Sequence, residues 1–211
     1  MALPVQNYLC RLFCYTPTDR DILADMLYTR KGDKGTTTIY GCNERMSKAS
    51  PLPEALGALD ELNSFVGLCR ASLEEDYKVP SGKGRRSITG ILHDVQEVLF
   101  IIQAEVAGAG KKVTKAKVGG LERVVDAVER EIPPLHAFSL SGGTRLSALF
   151  DVARTLVRRA ERRVIALHEG DVQKVSAHTL EYLNRLSSLF FALARYENHL
   201  HDVKEEAPKY R

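Results

Sequence analysis

Apolar residues that recur every three or four positions constrain the fold of this chain more than any other feature. The first such series is Leu56, Leu59, Leu62, Val66, Cys69 and Leu73. An α-helix turns once in 3.6 residues, so this spacing places all of these side chains on one helical face. Such a face must be buried against other elements, which predicts a helix that belongs to a bundle.

Four more helices are predicted from the same pattern and from its interruptions. We expect them over residues 88–106, 121–132, 144–167 and from the Gly170-Asp171 break to about Leu200. Pro133-Pro134 ends the third helix, and Thr144 can cap the fourth. The helix 88–106 is apolar on most sides and is expected at the centre, whereas the Gly- and Lys-rich residues 108–120 are expected to form a loop. The predicted fold class is all-α, a five-helix bundle with a polar N-terminal loop.

Composition restricts the classes of protein that this chain can represent. Its 211 residues suit one domain, and 44% hydrophobic with 27% charged residues is ordinary for a globular protein. The net charge of +3 comes from 30 basic and 27 acidic residues, a balance too even to indicate nucleic-acid binding. The longest apolar run, residues 98–102, is too short to cross a membrane. We therefore expect neither nucleic-acid nor membrane partners.

The ends of the chain differ in character from its middle. Residues 1–25 do not match the remainder of the chain and are interpreted as an N-terminal extension, residues 26–201 as the folded domain, and residues 202–211 as a charged, frayed tail. The four cysteines are scattered without a metal-ligand pattern, so no metal site is predicted and the thiols are expected to be reduced. The expected location is cytoplasmic, with the mitochondrial matrix as the alternative for a eukaryotic source.

The N-terminal loop, residues 28–38, is the first of three polar groups with possible chemistry. Its glycines let backbone amides approach an anion, while lysines and hydroxyl groups add charge and hydrogen-bond donors. It is not a Walker A loop, because the order of residues is Lys-Gly-Thr rather than Gly-Lys-Ser/Thr. One short strand is expected within it, over 36–40. Phosphate binding and a solvated basic turn are equally compatible with the spacing.

The second group lies on the fourth helix. Arg154, Arg158, Glu161 and Arg162 share one helical face, and Arg159 and Arg163 flank it. Arginine at every basic position favours bidentate recognition of phosphate or carboxylate. A solvent-exposed stripe of charges is the alternative.

The third group brings together the first and fifth helices. Asp60 and Asn63 lie one turn apart within the leucine-rich stripe, so both are expected to face the interior. Asn184, Ser188 and Arg195 share a face of the fifth helix. Polar residues inside a bundle usually satisfy one another, and a buried Asp60 would need a cation such as Arg154.

Five motifs in order identify a resemblance to a known family. They are Tyr-Thr-Arg-Lys-Gly-Asp-Lys-Gly-Thr-Thr at 28–37, Leu-Asp-Glu-Leu-Asn-Ser at 59–64, Phe-Ser-Leu-Ser-Gly-Gly at 138–143, Arg-Arg-Ala-Glu-Arg-Arg at 158–163 and Leu-Asn-Arg-Leu-Ser at 183–187. Together they resemble the PduO-type ATP:cob(I)alamin adenosyltransferases, over roughly residues 26–200. The resemblance implies a five-helix bundle that forms a homotrimer with active sites between subunits. It also implies transfer of the 5′-deoxyadenosyl group from ATP, with Mg²⁺, to the cobalt of cobalamin, and release of triphosphate.

The resemblance also implies roles for individual residues. Those expected to bind ATP are Thr29, Arg30, Lys31, Gly32, Lys34, Thr36, Thr37, Lys48, Arg158, Arg159, Glu161, Arg162 and Asn184. Those expected to be catalytic are Asp60, Arg154 and Arg158, with Asp60 paired to Arg154. Phe138 is expected to lie against the lower face of the corrin; without the resemblance, its context would favour a side chain that caps the core of the bundle.

Two departures from the family pattern leave alternatives open. Ser188 stands where the family usually has Asp, and Ser141 stands where it usually has Pro. A weakly catalytic carrier of corrinoid or ATP that delivers cofactor to a partner enzyme is therefore the second hypothesis. A structural bundle or RNA-binding adaptor is the third. Under the first, a flavoprotein reductase and a cobalamin-dependent mutase or dehydratase are the expected protein partners.

Overall fold

The computed structural model describes residues 30–41, 44–134 and 137–210. The predicted extension 1–25 and the candidate ligand Thr29 lie outside these ranges. In the described part, no helix is long and apolar enough to cross a membrane.

Five α-helices dominate the described chain, which confirms the all-α prediction. They are α1 (Pro51–Ala71), α2 (Ile88–Val106), α3 (Lys115–Glu131), α4 (Arg145–Glu169) and α5 (Ala177–Leu200). The bounds of α2 coincide with the prediction because Ser87 caps the helix: its hydroxyl accepts a 3.0 Å hydrogen bond from the Gly90 amide. Thr144 caps α4 as expected, accepting a 3.0 Å hydrogen bond from the Ser147 amide.

The start of α3 was predicted wrongly. The helix begins at Lys115, so residues 115–120 are helical rather than part of the expected 108–120 loop. Gly119 and Gly120 lower helix propensity, but they lie in the helix next to the guanidinium of Arg123. Buried Val118 and Leu121 anchor this first part of α3 to the core, and their burial outweighs the weak propensity.

Two small antiparallel hairpins complete the secondary structure of the described residues. Strands β1 (Thr36–Thr37) and β2 (Met46–Ser47) pair near the N-terminus, and β3 (Lys78–Ser81) pairs with β4 (Gly84–Ser87) before α2. The single strand expected over 36–40 is therefore shorter and is half of a hairpin. The β3–β4 hairpin turns at Gly82, whose φ of 61° is in the region that glycine adopts without strain.

The core is formed by pairwise packing of the helices. Helix α1 packs against α2 and α4, and α5 packs against α4 and α3. The most enclosed helix is α5, in which residues 192–198 are all buried, whereas α2 exposes Phe100 to 61%. The expectation that the apolar helix 88–106 is central was therefore wrong, because part of its apolar surface faces outward.

The C-terminal segment, residues 203–210, is held against the bundle by hydrogen bonds and an ion pair. The Glu206 carbonyl accepts a 2.8 Å hydrogen bond from the Leu140 amide, and the Glu205 carboxylate pairs with Arg195 of α5 at 2.7 Å. The expectation of a frayed tail was therefore wrong at these positions. A buried arginine provides an ion-pair partner that composition alone does not reveal.

Candidate functional site

The N-terminal loop is ordered by tight turns and by the β1–β2 hairpin. The Gly35 amide donates to the Gly32 carbonyl at 3.1 Å, and the Lys48 amide donates to the Gly35 carbonyl at 2.9 Å. Gly35 has a φ of 73°, a conformation that disfavours residues with a side chain. The hairpin thus brings residues 30–37 and Lys48 together, as the predicted ATP site requires.

Gly32 and Lys48 are in close contact. A Cβ atom added at Gly32 would lie 3.0 Å from the Lys48 ammonium nitrogen, so a larger residue would displace the lysine. The ammonium group therefore lies directly over the loop backbone. This places a cation beside the glycine-rich turn, which is the arrangement that binds an anionic group.

Arg45, which the sequence reasoning missed, ties the loop together. Its Nε donates to the Thr36 hydroxyl at 2.8 Å, and its Nη2 donates to the Thr36 carbonyl at 2.8 Å and to the Lys31 carbonyl. One guanidinium thus joins both ends of the turn 31–36. The β1–β2 hairpin is the feature that could have predicted this role, because the pairing of 36–37 with 46–47 brings the Arg45 side chain within hydrogen-bonding distance of Thr36.

The other candidate loop residues lie on the surface. Arg30 adopts a φ of 58°, and Lys31 and Lys34 are exposed. Thr37 lines a cavity of about 730 Å³, called here the α1–α2 cavity, together with Tyr40, Asp60 and Phe100. This cavity is open to solvent beside the loop, so a ligand could contact both.

Asp60 and Asn63 face different environments. Asn63 is buried, and its Oδ1 has no hydrogen-bond partner among the described residues, whereas Asp60 is exposed on the α1–α2 cavity. The expectation that Asp60 faces the interior was therefore wrong. The predicted Asp60–Arg154 pair is also not formed within the described chain: Arg154 lies 3.6 Å from Asp151, one helical turn away.

The arginines of α4 divide into two sets. Arg159 pairs with Glu61 and Arg163 pairs with Glu54 at 3.1 Å, so these two side chains join α4 to α1. Within 30–41, 44–134 and 137–210, Arg158 and Arg162 form no ion pair and are exposed. These two guanidinium groups are thus available to an anion, while Arg159 is already occupied in this chain.

The polar face of α4 meets α5 through two predicted residues. Asn184 Nδ2 donates to the Glu161 carboxylate at 3.1 Å, and Arg185 donates to Asn184 Oδ1 at 2.9 Å. Glu161 and Asn184 therefore fix each other beside Arg158 and Arg162, a contact that the separate polar groups of the sequence did not predict. Arg158, Arg162 and Arg163 are exposed, which agrees with the alternative of a solvent-exposed stripe of charges.

A second cavity, of about 540 Å³, lies between α3, α4 and α5. It is called here the α3–α5 cavity, and its polar lining includes Glu129, Arg154, Arg158, Ser187, Ser188 and Arg195. Val125, Ile132 and Phe191 supply apolar surface. A mixed lining of this kind suits a large ligand that has both apolar surface and polar substituents.

Phe138 is 81% exposed, on the turn that precedes α4. The alternative in which this side chain caps the core is therefore wrong. The turn is nevertheless fixed, because the Gly142 amide donates to Asp151 at 3.1 Å and the Gly142 carbonyl accepts from Asn198 at 2.9 Å. An exposed aromatic ring on a fixed backbone is suited to contact with a flat apolar surface.

Several predicted site residues line two different cavities. Thr37 and Asp60 line the α1–α2 cavity, while Arg154, Arg158 and Ser188 line the α3–α5 cavity. Among the residues that the structure describes, none lines both cavities. The two cavities are therefore separate candidate sites of this chain.

Thiol and metal chemistry have little support in the described residues. Burial raises the pKa of the Cys69 thiol to about 12, so this side chain is not a ready nucleophile. Among residues 30–41, 44–134 and 137–210, no three His, Cys, Asp or Glu side chains cluster in a way that could hold a metal ion. The candidate site is built mainly from cations, amides and backbone groups.

Comparison with known proteins identifies the class. The Cobalamin adenosyltransferase family model matches residues 27–197, and the chain therefore belongs to this family. It is 41% identical to the corrinoid adenosyltransferase of Bacillus subtilis over 82% of this chain and 86% of that protein. It is 35% identical to the corrinoid adenosyltransferase PduO of Salmonella typhimurium over 82% of this chain, and spans about half (49%) of that longer protein.

A solved structure shows the same fold with ligands bound. A variant PduO-type ATP:corrinoid adenosyltransferase from Lactobacillus reuteri, complexed with cobalamin and ATP, superposes with a TM-score of 0.77 at 30% identity. The match covers 88% of this chain and 97% of that one. The resemblance inferred from five sequence motifs is thereby confirmed at the level of family and fold.

Proposed function

We propose that this protein transfers the 5′-deoxyadenosyl group of ATP to the cobalt of cob(I)alamin. The observation that carries the proposal is the exposed pair Arg158 and Arg162 beside the fixed Glu161–Asn184 contact, in a chain that belongs to the cobalamin adenosyltransferases. The solved relative complexed with both cobalamin and ATP supports the same pair of substrates.

The chemistry needs no nucleophile from the protein. The cobalt of cob(I)alamin attacks C5′ of ATP, a Co–C bond forms, the C5′–O bond breaks, and triphosphate leaves with the electron pair of that bond. The protein must hold C5′ in line with cobalt and stabilise the negative charge on the leaving group. The guanidinium groups of Arg158 and Arg162, the Lys48 ammonium and the loop amides are suited to these tasks.

The triphosphate is proposed to lie between the loop of one subunit and the α4 face of its neighbour. Residues 30–37 with Lys48 supply one wall, and Arg158, Arg162 and Asn184 supply the other. Arg159 is already paired with Glu61, so it would not bind the triphosphate as a free cation. It would contribute by lying next to Arg158. Mg²⁺ bound to the phosphates would arrive with ATP, because this ion commonly keeps phosphate and water as most of its ligands.

A homotrimer is proposed because Asp60 and Arg154, the predicted pair, line different cavities of one chain. We propose that Asp60 of one subunit pairs with Arg154 of the next. Light scattering at micromolar protein should give three times the chain mass. A stable monomer with full activity would contradict this part of the proposal.

Phe138 is proposed to displace the lower ligand of cobalt. An apolar ring offers cobalt no ligand and excludes water, and four-coordinate cob(II)alamin is easier to reduce to cob(I)alamin. The 81% exposure of Phe138 supports this role, because the ring is free to contact a corrin.

The decisive experiment monitors the absorbance of adenosylcobalamin. Purified protein, ATP with Mg²⁺ and chemically reduced cobalamin should give the product spectrum together with stoichiometric triphosphate. A carrier would bind both ligands and leave ATP intact, and an adaptor would bind neither. The carrier hypothesis is included in this test because Ser188, which lines the α3–α5 cavity, stands where the family usually has Asp. A flavoprotein reductase and a cobalamin-dependent mutase or dehydratase remain the proposed protein partners.

A further inference from the structure

The turn 138–143, called here the Phe138 turn, is held from two sides. At its C-terminal end, Gly142 contacts Asp151 and Asn198, and Gly143 packs so closely that an added Cβ would overlap the Asn198 side chain. That end is fixed by helices α4 and α5. The end that carries Phe138 is held differently.

The C-terminal segment supplies most of the contacts at the Phe138 end. The Ser139 hydroxyl donates to the Glu205 carboxylate, and the Leu140 amide donates to the Glu206 carbonyl at 2.8 Å. A helical contact comes from Arg195 of α5, whose Nη1 donates to the Ser139 hydroxyl at 3.0 Å. The position of the exposed ring therefore depends on a segment that comes after α5.

Glu205 also completes a buried charge network. The side chain of Arg195 is 2% exposed and bridges Asp151 at 2.8 Å and Glu205 at 2.7 Å. Asp151 lies in addition 3.6 Å from Arg154. The guanidinium groups of Arg154 and Arg195 thus share two carboxylates. Loss of the Glu205 charge would leave these two guanidinium groups to share Asp151.

The network joins the α3–α5 cavity to the Phe138 turn. Arg154 and Arg195 line the α3–α5 cavity, and Ser139 is next to Phe138 in the chain. Removal of the Glu205 charge would weaken its bonds to Arg195 and Ser139 and leave Arg195 as the remaining helical contact of the Ser139 side chain. Phe138 and Arg154 would then lose their fixed relative positions.

We propose that Glu205 is a positioning residue that holds the Phe138 turn through Ser139 and Arg195, and so sets the contact of Phe138 with the corrinoid. This inference rests on the proposed function. Its direct effect is expected at the corrinoid, because the partners of the Glu205 side chain in the described chain are Ser139, Arg195 and Asn198, none of which is proposed to hold ATP.

The experiment compares Glu205→Gln with Asp202→Asn, each of which removes one negative charge from the same part of the chain. Asp202 is exposed and has a φ of 53°, a conformation that Asn tolerates well. The probe is cob(II)alamin with ATP and Mg²⁺, and the readout is the spectrum of the four-coordinate species. Turnover from cob(II)alamin and the KM for ATP are measured beside it.

We expect Glu205→Gln to lower the four-coordinate fraction and turnover about tenfold, the usual size of a lost charge-assisted hydrogen bond. The KM for ATP should change less than about twofold, Glu205→Asp should restore part of the signal, and Asp202→Asn should resemble the wild type. An unchanged spectrum in Glu205→Gln would overturn the inference. So would a parallel loss of ATP affinity, melting temperature and spectrum, since that pattern indicates general destabilisation. Failure of the wild type to form adenosylcobalamin would instead reject the proposed function.

Discussion

The N-terminal loop and the Phe138 turn are both irregular, polar and close to the candidate ligands, but they are held in different ways. Arg45 holds the loop from an exposed position through the carbonyls of Lys31 and Thr36. Arg195 holds the turn from a buried position through Asp151 and Glu205. Hydrogen bonds in solvent exchange readily with water, whereas a buried ion pair that loses one partner leaves an unpaired charge.

This difference in how the two segments are held suits them to different proposed ligands. A triphosphate is flexible and highly charged, so a loop that can adjust its amides around it is an advantage. A corrin is a rigid, flat ring, and an aromatic side chain that displaces its axial ligand must stay at a fixed distance from cobalt. We therefore expect substitutions at the turn to affect stability and corrinoid geometry, and substitutions at the loop to affect ATP binding.

The largest expected effect is that of Arg195→Leu on stability. The variant leaves Asp151 and Glu205 without their shared cation, and breaking a buried ion pair in this way costs about 3–5 kcal/mol of the free energy of unfolding. Urea denaturation monitored by circular dichroism measures it. A loss below about 1 kcal/mol would show that the network is not a structural element of the turn.

Arg158→Ala should have the next largest effect, and on ATP use rather than stability. Loss of one charge-assisted hydrogen bond to the triphosphate should lower kcat/KM for ATP by roughly ten- to hundredfold, at about 1.5–3 kcal/mol. Arg163→Ala is the matched control on the same helix, because Arg163 is occupied by exposed Glu54. If Arg158→Ala kept its ATP kinetics and melted several degrees lower, Arg158 would be structural instead.

Arg45→Ala should act on ATP more moderately. The substitution removes the hydrogen bonds that join both ends of the turn 31–36, so the loop amides would have to be ordered by ATP itself. We expect the KM for ATP to rise several-fold, at a cost of about 1 kcal/mol, while the melting temperature hardly changes. Arg45→Lys keeps the charge but cannot bridge the same acceptors, and should recover only part of the affinity. A Lys variant equal to the wild type would indicate that charge alone matters.

Phe138→Ala should have the smallest effect on stability. The ring is 81% exposed, so its truncation should change the free energy of unfolding by less than about 0.5 kcal/mol. The spectrum of four-coordinate cob(II)alamin should nevertheless disappear, and turnover should fall more from cob(II)alamin than from chemically supplied cob(I)alamin. A well-folded variant with an unchanged cob(II)alamin spectrum would reject the role of Phe138.

Periodicity predicted most of the fold, because each helix buries a regular stripe and is bounded by local capping groups. The bounds of α2 and the cap of α4 depend on Ser87 and Thr144, and both residues act on amides three positions away. The β3–β4 hairpin could not be predicted in this way, since four-residue strands show little alternation. The start of α3 was missed because burial of Val118 opposed the low propensity of its glycines.

The candidate site was predicted less completely than the fold. The shared face of Arg158, Glu161 and Arg162 is expected from helical spacing, and the contact of Glu161 with Asn184 confirms its orientation. The outward position of Asp60 was missed because a polar residue inside an apolar stripe can lie at its edge. The pair formed by Ser139 and Glu205 joins positions 66 residues apart, and no local pattern indicates such a contact.

The order of synthesis gives the Glu205 contact a further consequence. The ribosome makes Phe138 and helices α4 and α5 before it makes the carboxylate that holds the Phe138 turn. A chain that ends or is cut between His201 and Glu205 would lack this last part of the clamp. We expect the Phe138 end of the turn to be held there by Arg195 without Glu205 and Glu206.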